Sequence, residues 1–334
     1  MRSRPRKLSS LHWRDRALLK DRARTIFLGT GAFAVPVVQA LAEHPLVDLI
    51  AVVTAPRREA SKGRPLETPV ATWAADLRVP TFRPMRLRTT SAVEHIRGHA
   101  PDLLVLADYG QIVPAELLEL PPHDALNLHP SLLPRYRGAT PIPAAILAGD
   151  AETGVTLMRM DAGLDTGPIV VQERTQIEPG ETAPRLEDRL ASMAAGMLTR
   201  DLEAWLAGEI SEAPQPQDVV SLTRPLRRED GRIDPRKSAV VLERQVRAYQ
   251  PWPGSFVEVG ELRVVVWRAH PAEAKSSEQR IGGLYRTGQG ELALHVADGA
   301  LVFDEVQPAG GRRMSGAELS RGRPNLIMEG GPES

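Results

Sequence analysis

The sequence predicts two domains: an α/β domain with a mainly parallel sheet, then a small β-rich barrel domain. Three observations carry that reading. Apolar, β-branched runs of strand length alternate with helical stretches in the first part of the chain. A polar, proline-containing stretch from Ile210 to Arg224 interrupts the pattern. Beyond it, short alternating segments are broken by glycine, as in a small antiparallel barrel. The 334 residues suffice for two cores of about 100–200 residues each.

Taken in order, residues 1–24 carry nine Arg or Lys against Asp15 and Asp21. A secretory signal needs an apolar core of about 7–15 residues, and this stretch has none. It reads as a disordered basic extension, with an organelle transit peptide or an electrostatic arm for RNA as the alternatives. Strands are expected at Thr25–Gly29, Leu49–Thr54, Asp102–Ala107, Ala125–His129 and Gly154–Met160. Pro36 falls in a first helical turn, where its missing N–H would be unpaired anyway. A helix near residues 184–207 sets Leu186, Leu190, Met193, Met197 and Trp205 on one face. After the linker come Ser255–Val259, Leu262–Trp267, Leu292–Val296 and Ala300–Val306 as strands, and beyond Arg321 periodicity ends.

Composition excludes several function classes. Lys plus Arg balance Asp plus Glu at 42 each, so no global field advertises nucleic acid or membrane. Cysteine is absent, which removes disulfide scaffolds, thiol nucleophiles and cysteine zinc sites. No apolar run approaches the roughly 18–20 residues of a membrane span. Aromatics at 4% argue against base-stacking platforms. Among the eight histidines, His95 and His99 share a helical spacing, but without His-Glu-x-x-His or a third ligand nearby they read as a solvated helix face.

Gly29-Thr-Gly31-Ala-Phe-Ala34 follows a strand and opens a helix, as a dinucleotide fingerprint does. The second strand ends at Val53-Thr54-Ala55, without the acid that holds a ribose, so these glycines read as a tight strand-to-helix turn. Asn127 and His129 differ. Two apart at a strand's C-terminal end, they point to the same side of the sheet, at the edge where α/β folds bind ligands. An amide donor can hold a developing oxyanion and an imidazole can take a proton from an attacking amine. Asp165, in Gly163-Leu-Asp-Thr-Gly167, is the carboxylate that would orient the imidazole. Spacing alone leaves open a purely structural reading, a bonded strand-end His and a turn-capping Asp.

Longer runs then bear on the question. Phe27-Leu-Gly-Thr-Gly-Ala-Phe-Ala-Val-Pro36, Ala51-Val-Val-Thr54, Tyr109-Gly-Gln-Ile-Val-Pro114, Asn127-Leu-His-Pro-Ser-Leu-Leu-Pro-Arg-Tyr-Arg-Gly138, Gly149-Asp-Ala-Glu-Thr-Gly154 and Met160-Asp-Ala-Gly-Leu-Asp-Thr-Gly167 occur in order. Asp230-Gly-Arg-Ile-Asp234, Arg247-Ala-Tyr-Gln-Pro-Trp-Pro-Gly254 and Gln307-Pro-Ala-Gly310 follow. Over residues 25–320 the chain closely resembles the methionyl-tRNA formyltransferase family.

That resemblance implies a Rossmann-like formyltransferase domain over residues 25–209, a linker over 210–229, an OB-like tRNA-binding barrel over 230–320 and a loose tail over 321–334. It implies Asn127, His129 and Asp165 as the catalytic trio, and Ser131, Leu132, Leu133 and Pro134 as the folate-contacting loop. Arg57, Arg58, Lys62 and Arg64 fall on the family's tRNA-contacting loop, where cations attract phosphates. The co-substrate would be 10-formyltetrahydrofolate with no metal, and the partner methionyl initiator tRNA. The enzyme would be a monomer without membrane contact, cytoplasmic, or in an organelle matrix if the extension is a transit peptide. A sugar-nucleotide formyltransferase and a formyltetrahydrofolate hydrolase share the trio; a non-catalytic RNA-binding protein is the remote alternative. Three departures stand out: Thr30-Gly31-Ala32 in place of Thr-Pro-Asp, Asp108 before Tyr109, and no Gln-Pro-Asp leading into the basic loop.

Overall fold

The structure, a computed structural model, describes residues 22–57, 66–273 and 280–327. Chain packing divides it into two units. The first holds the chain through Arg137, then Gly154–Thr175 and Asp188–Leu222; the second holds Gly138–Thr153, Gln176–Glu187 and the chain from Thr223 onward.

The first unit is built on β1 (Ala23–Gly29), β2 (Val47–Val53), β3 (Thr81–Phe82), β4 (Leu103–Ala107) and β5 (Ala125–His129). The two-residue β6 (Arg137–Gly138) lies outside this sheet, which β7 (Glu152–Arg159) and β8 (Ile169–Gln176) complete. The order is β3-β2-β1-β4-β5-β7-β8. Strands β3 through β5 pair in parallel and β7 joins β5 antiparallel, so the sheet is mainly parallel and Rossmann-like as expected. All five side chains of β4 are buried, as a central parallel strand covered on both faces requires. Ile26, Leu28, Val53, Leu104, Leu106 and Leu117 form one core cluster.

The first three crossovers are made by α1 (Ala34–Glu43), α2 (Pro69–Asp76) and α3 (Thr90–Gly98). Helix α1 turns Ala34, Val37, Val38 and Leu41 inward. Thr68 and Thr89 cap α2 and α3 by accepting from the backbone N–H groups of Ala71 and Ala92. The strand β1 begins at Ala23, before the expected Thr25, because Ala23 donates to the Leu46 carbonyl (2.8 Å) and the Arg24 N–H to the Asp102 carboxylate (3.0 Å). These partners lie too far along the chain for local pattern to register. Residues 1–21 of the basic extension lie outside the described residues.

After the one-turn α4 (Ala115–Leu118), α5 (Pro141–Ala148) groups by packing with the C-terminal part of the chain. The long α6 (Ala183–Leu206) buries Leu186, Leu190, Met197 and Trp205, and Met193 is half-buried. After the short β9 (Leu222–Thr223) comes α7 (Ala239–Ala248), against which α5 packs; Arg244 there donates to the Ala148 carbonyl at 3.2 Å. Its guanidinium fills the space a Cβ would take at Gly149, whose φ of +76° is itself left-handed. The grouping by packing therefore crosses the boundaries expected from composition.

The second unit carries β10 (Ser255–Val259), β11 (Leu262–Ala272), β12 (Leu284–Arg286), β13 (Leu292–Val296), β14 (Gly299–Pro308) and β15 (Met314–Ser315), followed by α8 (Gly316–Gly322). Every pairing among these strands is antiparallel. Register shifts around Arg268 let the long β11 bend, which curls the sheet into an OB-like form. Leu242, Val246, Val264, Leu301, Phe303 and Val306 lie in its core cluster. No helix among the described residues is long and apolar enough to cross a membrane.

Candidate active site

Strand β5 alternates strictly: Leu126 and Leu128 go into the core, while Asn127 and His129 share the other face. Its antiparallel neighbour sets Met158 opposite Asn127 and Thr156 opposite His129. Asp165 comes to the same place from the loop between β7 and β8. Its carboxylate accepts from Asn127 Nδ2 at 3.4 Å and stands 3.7 Å from His129 Nδ1. The three residues singled out for chemistry are therefore one cluster, with His129 5% exposed.

The Asp165 loop is held from within. The Asp161 carboxylate accepts from the Gly163 N–H (3.0 Å) and the Thr166 hydroxyl (2.6 Å). A Cβ on Gly167 would run into the Arg159 carbonyl, so the chain closes there only with glycine. Asp165 itself sits at φ +51°, a left-handed conformation that Asp tolerates better than most residues but still resists. On the loop's flank Arg159 forks onto Glu212 at 2.6 and 2.9 Å, and that hydrogen bond pushes the guanidinium further up.

His129 Nε2 lies 2.9 Å from the Tyr136 carbonyl oxygen. A carbonyl only accepts, so Nε2 carries the hydrogen. In the neutral ring Nδ1 is then the bare nitrogen, and it is the one that faces Asp165. This geometry suits a base: a proton arriving at Nδ1 creates an imidazolium whose two N–H groups face a carbonyl and a carboxylate. Tyr136 is held in place by its own N–H, which donates to the Ser221 hydroxyl at 2.8 Å.

The expected folate loop is tightly bonded. Ser131 is buried and its hydroxyl donates to the Arg135 carbonyl at 2.7 Å, so this side chain shapes the loop from inside. Leu133 and Pro134 are buried as well, which leaves Leu132 with the more accessible side chain. Thr156 locks the loop: its hydroxyl donates to the Ser131 carbonyl (2.6 Å) and accepts from the Leu133 N–H (3.1 Å). Gln172 adds a donor to the Leu133 carbonyl at 2.9 Å. Gly154 matters here because a Cβ would meet the Glu173 carbonyl and the Leu132 side chain.

Of the basic loop, Arg57 is exposed and pairs with Glu67 at 2.5 Å; Arg58, Lys62 and Arg64 lie outside the described residues. The two departures around the first turn explain each other. The Asp108 carboxylate lies where a Cβ on residue 31 would go, and its carbonyl accepts from the Thr30 N–H at 3.0 Å, so Gly31 makes room for Asp108. Next to it, burial raises the Tyr109 hydroxyl's pKa, and that buried oxygen has no hydrogen-bond partner among the described residues. His95 and His99 form an edge-on ring pair 5.1 Å apart. Among the described residues no group of His, Asp and Glu converges as metal ligands.

Four residues that pattern did not reveal shape the site: Tyr136 through its carbonyl, Thr156, Arg137 and Gln215. Gln215 falls in the segment expected as a linker, yet it is 5% exposed. Its side chain bonds both the Arg137 guanidinium and the Asp165 loop. No periodic or motif signal surrounds it; only the fold brings these groups together.

Comparison with known proteins gives the family. The Formyl transferase family model matches residues 23–202, and the Formyl transferase, C-terminal domain model matches residues 225–324. The methionyl-tRNA formyltransferase of Myxococcus xanthus is 41% identical over 303 residues, covering 90% of this chain and 96% of the relative. That of Thermus thermophilus is 43% identical over 300 residues with the same coverage of 90% and 96%. Among solved structures, the sugar 3N-formyl transferase WlaRD, with dTDP and 5-N-formyl-THF, matches at TM-score 0.60 and 17% identity, covering 85% of this chain and 97% of that one. HypX from Aquifex aeolicus in complex with tetrahydrofolic acid matches at TM-score 0.59 and 16% identity, covering 94% of this chain and 49% of that one. At these identities the two structures share the fold.

Proposed function

The chain belongs to the methionyl-tRNA formyltransferase family, and from that membership we propose how its site works. The enzyme moves a formyl group from a folate carrier to the amino group of methionyl-tRNA. The observation that carries the reading is the meeting of the Asp165 carboxylate with Asn127 Nδ2 and His129 Nδ1 at the end of a sheet strand.

The methionyl amine attacks the formyl carbon of 10-formyltetrahydrofolate, and the carbonyl π electrons pass to oxygen. The Asn127 amide has two N–H groups; one faces Asp165 and the other is the donor for that oxyanion. Such a donor contributes about 2.7–4 kcal/mol to the transition state. His129 Nδ1 takes the ammonium proton, and Asp165 holds the resulting imidazolium. Collapse of the intermediate re-forms the C=O bond and breaks the bond to N10, which takes the proton back from the His129 imidazolium and leaves as the N–H amine of tetrahydrofolate. No step calls for a metal. The folate meets the Leu132 side chain and the backbone of the Ser131–Pro134 loop, whose bonds to Thr156 and Gln172 fix its shape. Initiator methionyl-tRNA, held by the loop bearing Arg57, Arg58, Lys62 and Arg64 and by the C-terminal barrel, brings the amine. The reading carries with it a monomer acting in the cytoplasm.

The test is direct. The purified chain is incubated with 10-formyltetrahydrofolate and, in parallel, methionyl initiator tRNA, elongator methionyl-tRNA, an amino-sugar nucleotide or buffer alone. Formyl-methionine on the initiator tRNA is the expected product. Preferential formylation of the sugar, or release of formate at the same rate without an amine, would replace this reading with a sugar formyltransferase or a hydrolase.

A further inference from the structure

The buried amide of Gln215 sits between the two halves of the site. Its oxygen accepts from Arg137 Nε at 3.0 Å and Nη2 at 2.7 Å. Its nitrogen donates to the carbonyl oxygens of Asp165 at 2.8 Å and Gly167 at 2.7 Å. The orientation is unambiguous, since a guanidinium only donates and a carbonyl only accepts. The Arg137 backbone N–H in turn donates to the Ser221 carbonyl at 3.0 Å, while the preceding residue, Tyr136, offers the carbonyl that fixes His129 Nε2. One side chain therefore ties the loop carrying the carboxylate to the segment that orients the imidazole.

We infer that Gln215 is a positioning residue for formyl transfer: its amide clamps the Asp165 loop so that the carboxylate stays within reach of His129 Nδ1 and Asn127 Nδ2. The inference rests on the proposed role of Asp165. The loop needs such a clamp because Asp165 is held at a left-handed φ, and Gln215 bonds the carbonyl of Asp165 itself and that of Gly167 two residues on. Both partners of the clamp are selective. Glutamate at 215 would keep the Arg137 fork but turn an oxygen toward two carbonyl oxygens, losing both donors and adding repulsion. Leucine of similar size would keep neither side.

The experiment compares four proteins, wild type, Asp165→Asn, Gln215→Leu and the double variant, with Gln215→Glu as a fifth. Formylation of methionyl initiator tRNA is measured for kcat and for KM of both substrates, with the thermal midpoint of each protein recorded. Asn at 165 removes the charge and tolerates the left-handed backbone. Gln215→Leu and Gln215→Glu are expected to lower kcat by up to about 100-fold, the scale of a misplaced catalytic group, with each KM within about twofold of wild type. In the Asp165→Asn background, Gln215→Leu is expected to lower kcat by less than about twofold more, because the group it positions is already disabled. Unchanged kcat in both Gln215 variants, or a loss that multiplies in full with Asp165→Asn, would overturn the inference. Because Gln215→Glu retains the Arg137 fork, a thermal midpoint near wild type with a low kcat in that variant supports the clamp even if Gln215→Leu is poorly folded. An Asp165→Asn enzyme with near-native kcat would instead remove the reading on which the inference rests.

Discussion

Asn127 and His129 share one face of the strand because a period of two leaves no other choice once Leu126 and Leu128 are in the core. That much is visible in the spelling Ala125-Leu-Asn-Leu-His129. The role of each ring nitrogen of His129 is not, because it depends on the Tyr136 carbonyl, which a tight loop folds back onto the imidazole. Asn127→Ala is expected to lower kcat by at least about 100-fold with little change in KM, the mark of an oxyanion donor; a rate near wild type in steady-state formylation would remove it from that role. Tyr109 offers a contrast. Its buried hydroxyl has no partner among the described residues, so Tyr109→Phe is expected to leave the thermal midpoint unchanged or raised, and a clear drop by calorimetry would show that the hydroxyl is bonded after all.

The loops, more than the strands, are where sequence reading and structure part. The α/β alternation and the glycine-punctuated barrel are periodic signals, and both domains follow them. The stretch from Ile210 to Arg224 reads as a linker because proline and polar residues mark irregular chain; in the structure Ala213 bridges to Ile169 and Leu222–Thr223 form β9. Yet Gln215 there bonds residues 78 and 50 positions away, a link that no local pattern encodes. Gly167 was legible as part of a motif but not for its reason, the approach of the Arg159 carbonyl. A second loop makes a pH prediction. Before the short 3₁₀ turn at Arg228–Gly231, Arg224 forks onto the Asp230 carboxylate at 2.8 and 2.6 Å, and the Arg227 N–H also donates to it, at 2.6 Å. The Arg224 hydrogen bonds come first in lowering that carboxyl from its ordinary 3.8 to about 2. A depressed acid stabilises the fold above its ordinary value and loses that contribution as pH falls through the lowered one. Asp230→Asn should therefore unfold at lower urea than wild type at pH 7, with the gap closing between about pH 4 and pH 2. A gap that persists at pH 2 would mean the loss is not one of charge.

At the scale of the whole molecule, net charge is balanced, so attraction of tRNA has to come from local clusters rather than a global field. Arg57 shares its charge with Glu67, and together with Arg58, Lys62 and Arg64 it makes up the proposed phosphate-binding cluster. Neutralising Arg58 and Lys62 together is expected to weaken tRNA binding and to reduce the salt slope by about 0.7–0.9 for each phosphate that is no longer neutralised, with folate binding unchanged. An unaltered slope in filter binding across a salt series would take the loop out of tRNA recognition.

Three proposed groups act on one carbonyl carbon, and single-turnover formylation by His129→Ala interrogates them most directly. With both substrates saturating and folate binding measured on the same protein, the rate of formyl-methionine formation is expected to fall at least about 100-fold while folate affinity is retained. Formylation within a few-fold of wild type by that variant would mean that the proton of the attacking amine leaves by another route.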